Sequence, residues 1–355
     1  MKILTSTVSI VLAFVICLCV FTSCSKTPDV KKPNGSEPIS ENTKTPEKAQ
    51  FKTVPVLEDT RPTETKQNTF TTLNGNQVTY NMNTRKIVAI SGAGDLAAFG
   101  LRPSAVIADS TTVESYKTFF EGVKLLNYTQ PFDAEEVLSY EPELILVNQL
   151  MSQSDIEELE KIAPVIPLYR ESFDFEERLS YIGKIFGLEE NARVLIKYAE
   201  ETKQAALDKV ADMNLSEKTV TVFYYLDGVS VPPTEYWYFN KIIYDYLGMK
   251  RLEIVDRFLE TQDNPFAPIS YEVLTEYEGD VVIYADIMAA MMGTELSIPN
   301  DLAENPMWKM LKAVNQNKVG IIDAMLYAEK DVLYLYAQYD GILKAFEKAQ
   351  VVESK

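Results

Sequence analysis

The chain of 355 residues contains no histidine and only three cysteines. The absence of histidine excludes Ser-His-Asp and Cys-His catalysis, HExxH zinc chemistry and histidine-ligated haem. The sequence also lacks a G-x-G-x-x-G dinucleotide fingerprint and a phosphate-binding P-loop. Its net charge of −18 would repel the phosphates of a nucleic acid, so we expect no nucleic-acid partner.

All three cysteines lie near the N-terminus. Cys17 and Cys19 fall within an unbroken apolar run from Ile10 to Phe21, and Lys2 is the only charged residue before it. A charged start, a short apolar core and small residues after it are typical of a secretory signal, and the run is too short to span a membrane. Cys24 follows the run after one threonine and one serine.

The stretch Phe21-Thr22-Ser23-Cys24 resembles the lipobox of bacterial lipoproteins, in which the cysteine is acylated and the chain is cut just before it. Phe21 stands where that motif usually has leucine. The resemblance implies a signal peptide over residues 1–23 and a lipid anchor on Cys24, which would hold the protein on the extracytoplasmic face of the cell membrane. The mature chain would then have 355 − 23 = 332 residues and no free thiol.

Residues 24–68 are rich in proline, lysine, glutamate, threonine and asparagine, with few apolar residues. Such a segment buries too little apolar surface to offset the entropy lost on ordering. We therefore predict a disordered spacer that gives the folded part room to move above the membrane.

Two series of alternating strands and helices follow, and one long helical pattern separates them. An Asn-Gly hairpin within Phe70–Tyr80 opens the first series, which we place in an N-terminal lobe of residues 69–188. The helical pattern gives a linker helix over 189–213, and the second series gives a C-terminal lobe over 214–355. Strands and helices that alternate at this spacing predict an α/β fold with largely parallel sheets.

The two lobes also echo each other in sequence. Residues 134–147 and 271–284 both place a glutamate at the start of a short helix and end in a buried strand. Such helix–turn–strand patterns recur widely, so the echo alone leaves a duplication and a chance similarity both open.

Together these segments resemble the substrate-binding lipoproteins of ABC importers for iron–siderophore complexes and cobalamin. Four stretches carry the resemblance: the hairpin at 70–80, the strand, helix and turn at 86–103, the helix–strand unit at 135–147 and the segment at 305–319. The resemblance implies two Rossmann-like α/β lobes joined by one long helix, with a ligand cleft between them and only small lobe rotations. It also implies a binding protein rather than an enzyme, with no cofactor and no directly bound metal.

The resemblance suggests roles for particular residues. Glu135 and Glu272 match positions at which family members present a glutamate on each lobe to arginines of a dimeric permease, although an acidic residue is also favoured in any first helical turn. Aromatic residues in loops suit a large chelate with an apolar rim, and packing is an equally good account of any one of them. The expected ligand contacts are Tyr128, Tyr169, Arg170, Tyr236, Trp237, Tyr238 and Tyr327.

The ligand implied is an iron(III)–siderophore complex, captured by a monomer. Arg170 is the only arginine that the sequence places near the cleft, and a ferric tris-catecholate carries about three negative charges that are costly to bury without cations. We therefore expect a hydroxamate-type chelate. Cobalamin or haem on the same fold stays open, and a surface glycosidase or adhesive module is disfavoured because no two acids are set in a defined catalytic frame.

Overall fold

The computed structural model describes residues 54–55, 57–107, 116–126, 133–148, 151–168, 174–226, 228–232, 237–261, 264, 267–292, 294–328 and 330–349. Within these ranges no helix is long and apolar enough to cross a membrane. Apart from residue 133, they belong to one compact unit formed by residues 51–127 and 134–355.

A hairpin begins the folded part. Strands β1 (Gln67–Thr71) and β2 (Gln77–Asn81) pair antiparallel, and Gly75 lies in the turn with a φ of 83°. The predicted Asn-Gly turn is confirmed, since glycine adopts positive φ without steric cost. The hairpin is fixed to the lobe by the Tyr80 hydroxyl, which donates a hydrogen bond of 2.6 Å to the Ile185 carbonyl.

The N-terminal lobe is built on a parallel sheet. Its strands are β3 (Ile87–Ala89), β4 (Ala105–Val106), β5 (Lys124–Leu125), β6 (Leu144–Val147) and β7 (Val165–Pro167), in the spatial order β5-β4-β3-β6-β7. Strands β3, β4, β6 and β7 are completely buried, as expected for strands covered by helices on both faces. The helices of this lobe are α1 (Ala93–Ala98), α2 (Ala134–Leu138), α3 (Gln153–Glu160) and α4 (Phe175–Phe186).

Helix α4 has well-defined ends. The Asp174 side chain accepts a hydrogen bond from the Glu177 backbone N–H while the Glu177 side chain accepts one from the Asp174 N–H, which is a capping box. The helix stops at Gly187, which has a left-handed φ of 65°. The next helix, α5 (Glu189–Asp212), is the linker helix predicted over 189–213; its 24 residues span about 36 Å at about 1.5 Å per residue.

The C-terminal lobe repeats the plan. Its strands are β8 (Val220–Tyr225), β9 (Val229–Ser230), β10 (Val281–Asp286) and β11 (Val319–Asp323), ordered β11-β10-β8-β9, with only β9 antiparallel among these four. Its α-helices are α6 (Tyr238–Asn240, continued by a π-helical turn Lys241–Tyr246), α7 (Glu253–Thr261), α8 (Met288–Met292), α9 (Asn300–Ala303), α10 (Lys312–Asn315) and α11 (Leu335–Ala349). Short 3-10 helices cover Tyr271–Tyr277, Trp308–Met310, Ala324–Tyr327 and Val332–Tyr334.

The strand register shows that the sequence echo is a structural repeat. The first residue of β6, Leu144, pairs with the first residue of β3, Ile87. Likewise Val281, at the start of β10, pairs with Val220, at the start of β8. A helical turn precedes β6 and β10 in the same way, so the units at 134–147 and 271–284 occupy equivalent places in the two lobes.

The folded part begins earlier than the sequence predicts. We expected the disordered spacer to continue to residue 68, yet Arg61 is buried and donates hydrogen bonds of 3.1 Å to the Met82 and Thr84 carbonyls. Arg61 also pairs with Asp59 at 2.9 Å. Burial by itself would raise the pKa of Asp59, but the hydrogen bond and charge of Arg61 outweigh burial and lower it. Residues 57–68 are therefore part of the N-terminal lobe, and the prediction was wrong for them.

A buried ion pair of the N-terminal lobe makes hydrogen bonds to the C-terminal lobe. Arg178 of α4 donates to Asp95 of α1, with Nε 2.6 Å from Oδ2, and both side chains are almost completely buried. The same guanidinium donates to the Lys330 carbonyl, and Oδ1 of Asp95 accepts a 2.7 Å hydrogen bond from the Val332 N–H. The charges of one lobe thus hold the backbone of the other.

In a second hydrogen bond between the lobes, the acceptor side chain belongs to the C-terminal lobe and the backbone donor to the N-terminal lobe. The Asp331 side chain accepts a 2.7 Å hydrogen bond from the Gly94 N–H in the first turn of α1. A Cβ atom on Gly94 would lie 2.8 Å from the Cβ of Asp331, so the close approach requires glycine there. Each lobe therefore caps a helix end of the other. We call this set, Gly94, Asp95, Arg178 and residues 330–332, the interlobe clasp.

We predict that Asp95→Asn destabilises the protein by about 3–5 kcal/mol, because it leaves the buried Arg178 charge without its counter-ion. Denaturant unfolding measures the effect. The control is Glu158→Gln, which breaks the exposed pair with Lys161 and should change the free energy of unfolding by less than about 1 kcal/mol. Equal effects of the two substitutions would mean that the clasp contributes no more than a surface pair.

Candidate ligand-binding cleft

The clasp shows how the two sheets face each other. Gly94 and Asp95 follow the carboxyl end of β3, and residues 330–332 follow the carboxyl end of β11. The clasp joins these segments, so the carboxyl edges of both sheets lie toward the boundary between the lobes. Open α/β sheets bind ligands outside the carboxyl ends of their strands, which makes this boundary the candidate cleft.

Aromatic side chains pack across the boundary. The ring of Phe175, at the start of α4, lies 6.2 Å from the ring of Tyr238 and 6.2 Å from that of Tyr246. The Arg178 guanidinium stands over the Phe175 ring at 4.9 Å. These contacts extend the clasp into a lobe-to-lobe contact of rings and one paired charge, which shields the ion pair from water.

Tyr238 belongs to this contact rather than to an open surface. The sequence predicts an exposed loop residue, whereas the side chain is only 4% exposed and packs in the hydrophobic core. Burial raises the pKa of the Tyr238 phenol well above its ordinary value, so its hydroxyl stays protonated. Tyr238 therefore connects the lobes and offers little surface to a ligand.

Tyr327 is also buried, contrary to the prediction. Its hydroxyl donates a 2.8 Å hydrogen bond to the Gln338 carbonyl, and its ring meets Phe239 edge-on at 5.6 Å. Gly341 of α11 allows this packing, since a Cβ there would come within 2.9 Å of the Tyr327 hydroxyl. Burial raises the pKa of this phenol as well. The 3-10 helix that carries Tyr327 turns the ring into the core beneath α11, so Tyr327 has a packing role.

Trp237 is more exposed than the adjacent Tyr238. Its side chain is half-buried and stacks on Phe239 with ring centroids 5.6 Å apart. The indole Nε1 is shielded from solvent and has no hydrogen-bond acceptor among the residues that the structure describes. The remaining predicted contacts, Tyr128, Tyr169, Arg170 and Tyr236, lie outside the described residues, as does Cys24.

Glu135 and Glu272 occupy matching positions. Each lies in the first turn of a helical segment, in α2 and in the 3-10 helix Tyr271–Tyr277, and each is exposed. Each also stands nine residues before a strand that begins in register with the first strand of its lobe, at Leu144 and at Val281. The lobes therefore present the two carboxylates from equivalent places.

Sequence reasoning missed the residues that join the lobes. Asp95 and Arg178 are 83 positions apart, and no local pattern pairs them. Helix α4, which carries Arg178, was also missed, although the Asp174 to Glu177 capping signal before an apolar stripe would have revealed it. In the described ranges, no three acidic side chains gather as a metal-binding group.

Comparison with known proteins gives consistent matches. The family described as periplasmic binding protein matches residues 87–326. The chain is 25% identical over 292 residues to the iron(3+)-hydroxamate-binding protein YxeB of Bacillus subtilis. The alignment covers 80% of this chain and 86% of that protein.

Two solved structures share the fold. The FhuD protein from S. pseudintermedius has a TM-score of 0.63 at 19% identity, over 81% of this chain and 100% of that chain. The triscatecholate siderophore binding protein FeuA from Bacillus subtilis, complexed with ferri-bacillibactin, has a TM-score of 0.61 at 19% identity, over 80% of this chain and 99% of that chain. At this identity the likenesses concern the fold alone. They confirm the predicted two-lobed α/β architecture.

We predict that Tyr327→Phe lowers the free energy of unfolding by about 1 kcal/mol, because the buried hydrogen bond from the Tyr327 hydroxyl to the Gln338 carbonyl is lost. Denaturant unfolding again provides the measurement. Tyr140→Phe, at a partly exposed tyrosine, is the matched control and should stay within about 0.5 kcal/mol of the parent. A Tyr327→Phe variant as stable as the parent would argue against the packing role.

Proposed function

Because the chain belongs to the periplasmic binding protein family, we propose that it captures a ferric siderophore outside the cytoplasm and delivers it to an ABC permease. Proteins of this family bind solutes for transport, so the chain is a binding protein and not an enzyme. The observation that carries the proposal is the match over residues 87–326, which spans both lobes and the boundary between them. The name of the relative YxeB, an iron(3+)-hydroxamate-binding protein, supports the choice of ligand.

The charges around the boundary favour a chelate without a large negative charge. Arg178 stands over the Phe175 ring of the lobe-to-lobe aromatic contact, and Asp95 already neutralises it. The chain as a whole carries a net charge of −18, which slows the approach of an anion at low salt. FeuA binds a tris-catecholate on the same fold, so the fold alone does not choose between chelate classes. The charges of the described residues and of the whole chain support a neutral or cationic ferric hydroxamate.

We expect ferrioxamine B and other uncharged or cationic ferric hydroxamates to bind at least about tenfold more tightly than a ferric tris-catecholate, a difference of about 1.4 kcal/mol. Titration followed by tryptophan fluorescence tests this. Trp237 beside the cleft should respond, whereas Trp308 is fully buried against Phe223 and provides the background.

A Trp237→Phe variant separates the two signals, because only the response of Trp308 remains in it. A catecholate that binds more tightly than every hydroxamate would overturn the charge argument. Failure of all ferric chelates to bind, by fluorescence and by thermal shift, would overturn the proposed function itself.

The two exposed glutamates supply the contact with the permease. Glu135 and Glu272 project from equivalent places on the two lobes, so one monomer offers two matched carboxylates to the two halves of a permease dimer. Cationic partners on the permease would complement them, as charge pairing across an interface sets orientation more than affinity. No second copy of the chain is needed for this arrangement.

We predict that Glu135→Lys combined with Glu272→Lys abolishes uptake of the labelled chelate by whole cells and leaves its dissociation constant within about threefold, or about 0.7 kcal/mol. The matched control is Glu160→Lys combined with Glu347→Lys, which makes the same change in net charge at exposed sites elsewhere on the two lobes. Uptake by the first double variant at the level of the control would contradict docking through these glutamates.

The proposal also includes a lipid anchor on Cys24. Cys24, acylated after removal of residues 1–23, would hold the protein at the outer face of the membrane, near the permease. Val54 is already buried in the core, so about 30 residues lie between Cys24 and the folded part, and a flexible chain of that length would reach about 30 Å on average. A Cys24→Ala variant that still fractionates with membranes as a lipid-bearing protein would refute the anchor.

A further inference from the structure

A strip of exposed apolar side chains follows the strand ends of the C-terminal lobe. Leu226 comes directly after β8 and is 44% exposed. Met288 and Met292 lie on α8, directly after β10, and are 39% and 67% exposed. Large apolar side chains in soluble proteins are normally exposed singly, so neighbouring ones indicate a surface that meets another molecule.

The strand register brings these side chains together. Strands β8 and β10 are parallel neighbours that pair as far as Phe223 and Tyr284, so their carboxyl ends lie side by side. Leu226 follows the end of β8, and Met288 and Met292 follow the end of β10 on one short helix, four residues apart. Their position at the carboxyl edge of the sheet is the side of the lobe that the clasp turns toward the N-terminal lobe. The strip therefore lies at the candidate cleft.

A buried carboxylate fixes the start of α8. Asp286 is 3% exposed, and its Oδ1 accepts hydrogen bonds from the Met288 and Ala289 N–H groups at 3.0 and 3.1 Å. Its other oxygen accepts one from the Ser297 N–H at 2.9 Å. One side chain thus holds the backbone at the start of α8 and at Ser297. Preorganisation of this kind reduces the entropy lost on binding.

The chemistry of the strip defines what it can hold. Methionine is unbranched and polarizable and adapts to irregular apolar surfaces. A thioether is a soft donor, whereas the ferric ion of a siderophore is already surrounded by hard oxygen ligands, so direct coordination is disfavoured. The surface that remains for the strip is the hydrocarbon of the chelate.

We propose that Leu226, Met288 and Met292 form the apolar wall of the cleft, which binds the methylene chains of the chelate. The inference rests on the proposed function and adds the residues of the C-terminal lobe that select a chelate with a large hydrocarbon surface.

Oxidation footprinting of the mature chain tests the wall. Dilute hydrogen peroxide transfers one oxygen atom to a methionine sulfur and leaves water, and the rate follows exposure of the sulfur. The probe is the gallium(III) complex of desferrioxamine B, since gallium does not cycle with peroxide as iron does. Peptide mass spectrometry then gives the rate of sulfoxide formation at each methionine.

We expect the complex to slow oxidation of Met288 and Met292 at least threefold. Met310 is the internal control: it is 58% exposed but lies on the 3-10 helix before β11, at the opposite edge of the sheet, so its rate should not change. A Met288→Gln and Met292→Gln double variant should bind the complex about tenfold more weakly, and Met310→Gln should bind it as the parent does.

The outcomes separate the two proposals. Absence of binding by the parent protein, measured by thermal shift under the same conditions, would count against the proposed function. Normal binding without protection of Met288 and Met292, or with equal protection of Met310, would overturn the apolar wall and leave the proposed function intact. A double variant that binds like the parent would also overturn it.

Discussion

The ion pair between Asp95 and Arg178 is the interaction on which the arrangement of the lobes depends. Neither charge is exposed to water, so each must find its partners inside the protein. Arg178 satisfies its remaining donors at the Lys330 carbonyl, and Asp95 accepts from the Val332 N–H. Both of those partners belong to the other end of the chain, so the two charges are fully satisfied only when the lobes are together.

This constraint explains how the cleft is built. Helix α5 connects the lobes along the chain, and the clasp connects them through space at the carboxyl edge of both sheets. Two connections permit less relative motion than one, which fits a protein that turns its lobes slightly instead of opening widely. The rings of Phe175, Tyr238 and Tyr246 then fill the boundary beside the clasp, and the strip on α8 lies at the edge of the same sheet.

The sequence predicts the regular part of this structure well, because that part is set by local patterns. The buried strands at 144–147 and 281–286, the Asn-Gly hairpin and the long linker helix each have a clear periodicity or turn signal. The site was harder to predict. Tyr238 and Tyr327 sit in loop-like stretches, and only the packing of α4 and α11 above them decides that they are buried. The early start of the fold depends on Arg61, whose carbonyl acceptors lie more than twenty residues away.

The position of the clasp in the sequence has a consequence for how the protein matures. Gly94 and Asp95 precede their partners Asp331 and Val332 by 237 residues. At about 5–20 residues per second, a ribosome needs about 12–47 s to make the intervening chain. During that time Asp95 and Arg178 lack their partners at Lys330 and Val332, so the clasp cannot form until nearly the whole chain has been made. The contacts that join the lobes are therefore among the last that a growing chain can make.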